Sequence, residues 1–170
     1  RRLALAPQSL AAWQELTPLA RLQHLRVQWF VASPQIAPTA GAWDELDLML
    51  PMVSAYTLRQ TYAWATQEQL HWQTARLRAW LVEFLGALRR DTWLSLEQLI
   101  NLLYQLRRDP FQLDTGLPGW RWYRANAHVE PSQMAFEAWR DTYGKLIEAW
   151  LVGPASWLAL VEIGHAGGRP

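Results

Sequence analysis

The chain has 170 residues, 51% of them apolar, with 16 basic side chains against 15 acidic ones and no cysteine. Without cysteine there is no disulfide, no thiolate-bound zinc or iron–sulfur cluster and no thiol nucleophile, and no apolar run approaches the ~20 residues of a membrane helix. Twelve tryptophans argue against a disordered chain; with no signal peptide in view, the sequence reads as part of a cytoplasmic protein.

Thr17-Pro18 is a helix start, with Thr as the cap and Pro at the first helical position. Leu19, Leu22, Leu25, Trp29 and Phe30 follow as an apolar stripe, ended by Ser33-Pro34. After a loop, Trp43-Asp44-Glu45-Leu46 opens another apolar stretch, interrupted at Pro51. The spacing then predicts a helix over about 67–90, with Leu70, Ala75, Leu77, Leu81, Phe84, Leu85 and Leu88 inward. Trp93-Leu94 suits a two-residue strand. Ser95 to Gln98 form a capping box, and the helix it opens carries Leu99, Leu102, Leu103 and Leu106. That helix ends at Arg107-Arg108-Asp109-Pro110. An irregular insertion at about 109–131 holds a short strand at 120–124. Ser132 then caps a final helix, which Gly153-Pro154 stops. Trp157 to Ile163 make a β-prone run ending at Gly164.

Helix, tight corner, strand and a glycine-rich tip (Gly164, Gly167, Gly168) is how a winged-helix domain passes from its third helix into its wing. Two segments carry a likeness to a known family: Trp93-Leu94-Ser95-Leu96, and the corner Gly153-Pro154-Ala155-Ser156-Trp157-Leu158-Ala159-Leu160-Val161-Glu162-Ile163-Gly164. Their order resembles the winged-helix region of bacterial proteins with XPB-type helicase N-terminal or helicase-associated domains. The recurring features there are a W-[VL]-S-[LF] helix start and a GPL.WLGLV.LG corner. Ala155 and Ala159 stand where Leu and Gly are usual. Upstream, Trp13, Leu22, Trp29 and Trp43-Asp44-Glu45-Leu46 resemble the helical part that precedes the winged helix. The fold expected is mainly α: a helical subdomain over 1–66, then a winged-helix-like domain over 67–170 with a short β-wing.

The resemblance implies an accessory module of a larger helicase-associated protein, not a motor. An NTPase needs a glycine-rich phosphate loop with its lysine, and the one lysine, Lys145, lies outside any such loop. From Trp80 to Gly164 eight basic residues face ten acidic ones. Duplex binding rests on phosphate neutralisation, so any DNA binding should be modest and salt-dependent. The local patch that suits it is Trp120-Arg121-Trp122-Tyr123-Arg124, with Arg107 and Arg108 nearby. Rings can stack on unpaired bases while guanidiniums hold phosphates, which makes Arg107, Arg108, Trp120, Arg121, Trp122 and Arg124 the candidate nucleic-acid-binding residues. The competing reading is a strand with Trp120, Trp122 and Arg124 on one face, Arg121 and Tyr123 on the other, and one set packed. Arg107 and Arg108 would then serve the helix dipole.

His24, His71, His128 and His165 show no zinc-binding spacing, and His24 and His71 sit among polar neighbours as surface residues. No catalytic constellation, metal motif or cofactor loop is present, so the expected role is a non-catalytic interaction module. The alternative is a purely protein–protein adapter or oligomerisation domain without nucleic-acid contact. Partners are then DNA, bound weakly, and a protein or further domains of the parent, with no membrane.

Overall fold

The structure, a computed structural model, describes residues 12–31, 56–60, 67–89, 93–111, 120–125 and 127–164. The described residues are mainly helical and carry one small three-stranded antiparallel sheet. Expectations for Ser33-Pro34, Trp43–Pro51, Asp91-Thr92, Gly116–Gly119 and His165–Gly168 lie outside the described residues.

Helix α1 (Pro18–Val31) starts as its sequence dictates. The Thr17 Oγ1 accepts from the Ala20 N–H at 3.3 Å, satisfying one of the free donors of the first turn. Of its apolar stripe only Phe30 is buried, whereas Leu19, Leu22, Leu25 and Trp29 stay exposed. At the far end the Arg78 Nε donates to the Phe30 carbonyl at 2.8 Å, capping a carbonyl that the helix leaves open.

Helix α2 (Gln67–Ala87) buries Leu70, Ala75, Leu77 and Leu81, and Phe84 and Leu85 pack against the same core. It also buries His71, Thr74 and Arg78, a polar stripe at helical spacing. His71 is therefore an interior residue and not the surface histidine expected from its polar neighbours. Trp93-Leu94 forms no strand. Helix α3 (Leu96–Leu106) has the predicted capping box: the Ser95 hydroxyl accepts from the Gln98 N–H, and the Gln98 side chain accepts in return from Ser95. Its buried set is Leu99, Ile100, Leu103 and Tyr104; Leu102 and Leu106 are exposed. The Tyr104 hydroxyl turns the face, donating to the Met134 carbonyl at 3.0 Å.

Strand β1 (Tyr56–Gln60) pairs antiparallel with β2 (Trp120–Arg124), which pairs in turn with β3 (Ala127–His128). The strand at 120–124 was legible, whereas β1 lies in the stretch assigned to a helical subdomain. It bridges the expected boundary at residue 66, as does the Arg78–Phe30 hydrogen bond. β2 and β3 meet at a tight turn in which Ala125 takes φ 53°, a left-handed conformation usual for such hairpin turns but costly for alanine.

The final helix starts later than Ser132. Pro131–Gln133 is a 3₁₀ turn, Met134 and Ala135 are extended, and α4 begins at Phe136 (Phe136–Trp139). A π-helical turn, Arg140–Gly144, joins it to α5 (Lys145–Trp150). In that turn the Thr142 hydroxyl donates back to the carbonyls of Ala138 (2.8 Å) and Trp139 (3.1 Å), the kind of bond that bends helices. Gly144 meets α3 here: a Cβ would stand 3.2 Å from Ile100 Cγ2.

Gly153-Pro154 kinks the helix but does not stop it. Gly153 departs from helical geometry (φ −90°, ψ −107°), and helical backbone resumes through Pro154 to Trp157. The helix ends at Ala159, whose φ is 53°. The Ser156 carbonyl accepts from Ala159 and the Ala155 carbonyl from Leu160, both at 2.9 Å: a Schellman termination. The expected strand over Trp157–Ile163 is thus corrected. Its first residues complete the helix, and no strand follows α5 among the described residues. The sheet instead joins β1 to two strands from the region read as an irregular insertion, and no β-wing is seen among the described residues.

Candidate nucleic-acid interface

Strand alternation sorts the patch into two faces. Trp122 lies across from Leu58 and points inward with it; its residue is 0% exposed, and its ring meets Tyr143 edge-on at 6.0 Å between centroids. Such T-shaped pairs suit the ring quadrupoles. Trp122 is a core residue and presents no ring to a base. Trp120 is half-buried, with its backbone tied to α2: the Gln73 Oε1 accepts from its N–H at 3.1 Å and the Gln73 Nε2 donates to its carbonyl at 3.5 Å. Arg124, at the strand end, is exposed, with its guanidinium 5.9 Å from the Tyr56 ring centroid.

The other face carries Arg59, Arg121, Tyr123 and His128. Arg121 donates through Nη1 to Glu130 Oε2 at 3.2 Å and lies 3.1 Å from His128 Nε2, with only 12% of its side chain exposed. Tyr123 stands across from His128, ring centroids 5.7 Å apart. From β1, the Arg59 guanidinium reaches to 5.9 Å from the Tyr123 centroid.

Arg107 and Arg108 engage other rings. The Arg107 guanidinium sits 5.7 Å from the Trp80 centroid, and that of Arg108 lies 4.0 Å from Tyr104. Arg108 and the residue after it are anchored, because the Trp139 Nε1 donates to the Arg108 carbonyl at 2.9 Å and the Tyr143 hydroxyl to Asp109 Oδ1 at 3.5 Å. Burial holds the Tyr143 hydroxyl well above the usual phenol range; the Asp109 carboxylate adds to this and the Arg121 guanidinium opposes it. The six candidates therefore do not converge on one surface. Four guanidiniums rest on the protein's own rings or carboxylate, and one tryptophan is interior.

Sequence reasoning missed Arg59, His128, Glu130 and Gln73 as parts of this region. The Tyr56-Thr57-Leu58-Arg59 alternation, rich in β-prone residues, was the available signal for Arg59. Among the described residues no three His, Asp or Glu gather as a metal site would require, and no helix is long and apolar enough to cross a membrane. Comparison with protein-family models, with curated proteins and with solved structures returned no match.

Proposed function

We propose that the chain is a non-catalytic interaction module whose main working surface is an apolar face at the end of its last helix. There it docks on a partner protein or on another domain of a longer protein. The observation that supports this is the position of the largest exposed rings. Trp93 and Trp157 are 67% and 72% exposed, and Val152 and Ile163 are exposed as well. Trp93, Val152 and Ile163 border a cleft of about 300 Å³ whose floor includes Leu96, Leu99 and Leu151. Apolar surface gathered in this way marks interaction sites, and tryptophan is enriched among the residues that dominate them.

The likeness to helicase-associated winged-helix proteins supports the wider setting, an accessory module of a nucleic-acid-handling protein. Helices α2, α3 and α4–α5 would be the three helices of that arrangement, sharing one core. Nucleic-acid contact would be secondary and weak, since the arginines of 107–124 already rest on the protein's own side chains.

A photo-reactive residue placed at Trp157 in living cells tests the docking face, with Arg124 as the control position. A protein or second copy captured at 157, not at 124, and lost on Val152→Asp, is the expected result. No adduct at 157, or equal capture at both positions, would remove the reading.

A further inference from the structure

Resting on the docking reading above, we propose that the occupant of the cleft is helix α1 of a second copy of this chain. The exchange is reciprocal, each copy supplying one helix and one cleft. Helix α1 leaves Leu19, Leu22, Leu25 and Trp29 exposed, three or four residues apart and therefore on one face. Arg26 stands on that face too, four residues after Leu22 and three before Trp29. The arginines of this helix are Arg21 and Arg26, and it has no acidic residue. Arg21 is engaged locally, donating through Nε to the Trp13 carbonyl at 3.0 Å.

The cleft is the counterpart in polarity and charge. Its described lining is apolar apart from Glu162, which is exposed. Among the described residues no ion pair within the chain reaches Arg26 or Glu162. One helix face therefore offers a single cation among leucines and a tryptophan, and one cleft offers a single carboxylate among leucines and a tryptophan. Helix-in-groove docking uses anchors at such spacings, here Leu19, Leu22, Arg26 and Trp29. The apolar side chains drive the association. The ion pair fixes its register, because either charge buried without the other is strongly unfavourable. The two patches also adjoin. Leu85 and Leu88 line the cleft and, in addition, the hollow that Gln23 and Val27 of α1 border. A two-fold contact centred there covers both patches on both copies, the isologous arrangement that most homodimers use.

The test is sedimentation velocity on the whole chain at rising micromolar concentration. The expected result is a concentration-dependent dimer. Arg26→Glu and Glu162→Arg should each weaken it about tenfold or more, as the loss of a close charge pair does. Mixing the two variants should restore it, because both contacts of the mixed dimer then join a carboxylate to a guanidinium. Pairing within one copy cannot produce that recovery. A chain that stays monomeric overturns the proposal. So does a dimer indifferent to the charge reversals, or a mixture that does not recover. Glu162 is exposed, so Glu162→Arg keeps the test decisive even where an Arg26 variant unfolds. Capture of a different protein at Trp157 by a monomeric chain would overturn the second copy as occupant and leave the docking face standing. No capture and no dimer would remove both.

Discussion

The side-chain amide of Gln73 pairs with both backbone groups of Trp120, accepting from its N–H at 3.1 Å and donating to its carbonyl at 3.5 Å. β3 pairs only opposite Tyr123 and Arg124, with Val129 reaching back to the Trp122 carbonyl at 3.0 Å. Gln73 therefore stands in for the strand that β3 is too short to provide, and it couples α2 to the first residue of β2. Gln73→Leu keeps the volume and removes both bonds. It should lower unfolding free energy by about 1–2 kcal/mol, the cost of half-buried backbone groups left without partners. Urea denaturation checks this, and a midpoint equal to the parent's would show that α2 does not hold the strand.

Ala159→Gly should raise stability. Alanine at φ 53° carries the penalty of an L-residue in the left-handed region, about 1–2 kcal/mol. Glycine removes it but gains more freedom in the unfolded chain, so the net increase should be about 0.5–1 kcal/mol. Ala159→Val should do the reverse, since a branched side chain fits that backbone worse. Paired urea titrations of the two variants decide the matter; if both destabilise, the helix does not end at Ala159.

That position also shows how far sequence carried. The corner pattern that the sequence resembles carries glycine where Ala159 stands, and in this chain that position is the left-handed residue after a helix. Reading Gly153-Pro154 as the stop was the error, because a proline marks a helix end only when the turn before it cannot bend. Here the Gly153 backbone bends, and the next turn forms. Local signals with their own hydrogen-bond logic were legible, as at Thr17-Pro18 and the Ser95–Gln98 box. The strand at 120–124 was legible from alternation. Its partner β1 was signalled only by the Tyr56–Arg59 alternation, and its pairing of Tyr56 with Arg124 is a long-range event that no local pattern encodes. The outward drift of Leu102 and Leu106 has the same origin: the Tyr104 bond to Met134 fixes which face of α3 turns inward. For the candidate site, aromatic–arginine alternation identified the strand but not which rings the core would take.

The capping box gives a prediction that sequence and structure share. Ser95→Ala removes the hydroxyl that accepts from Gln98 at 3.1 Å, and it should cost about 1 kcal/mol. Ser95→Asp should retain most of the stability, because a carboxylate accepts the same bond and favours the positive helix end. Thermal unfolding followed by circular dichroism separates the two; equal melting temperatures for Ser95→Ala and the parent would show that the box contributes nothing.

Tyr143 links the core to alkaline stability. Its hydroxyl is held well above the ordinary phenol range, first by burial and then by the neighbouring Asp109 carboxylate. In the unfolded chain a tyrosine ionises near pH 10, while in the folded protein Tyr143 keeps its proton beyond that. Below pH 10 both states hold the proton and stability is complete. As pH rises past 10 the unfolded state alone releases it, and stability falls with pH. Tyr143→Phe removes the ionising group, so the variant's stability should decline less between pH 9.5 and 11 than the parent's. The difference between the two curves isolates this one hydroxyl. At neutral pH the variant should lose little, because the hydroxyl's bond to Asp109 is long, at 3.5 Å. Parallel curves through the alkaline range would mean that the Tyr143 hydroxyl is not held in its protonated form by the fold.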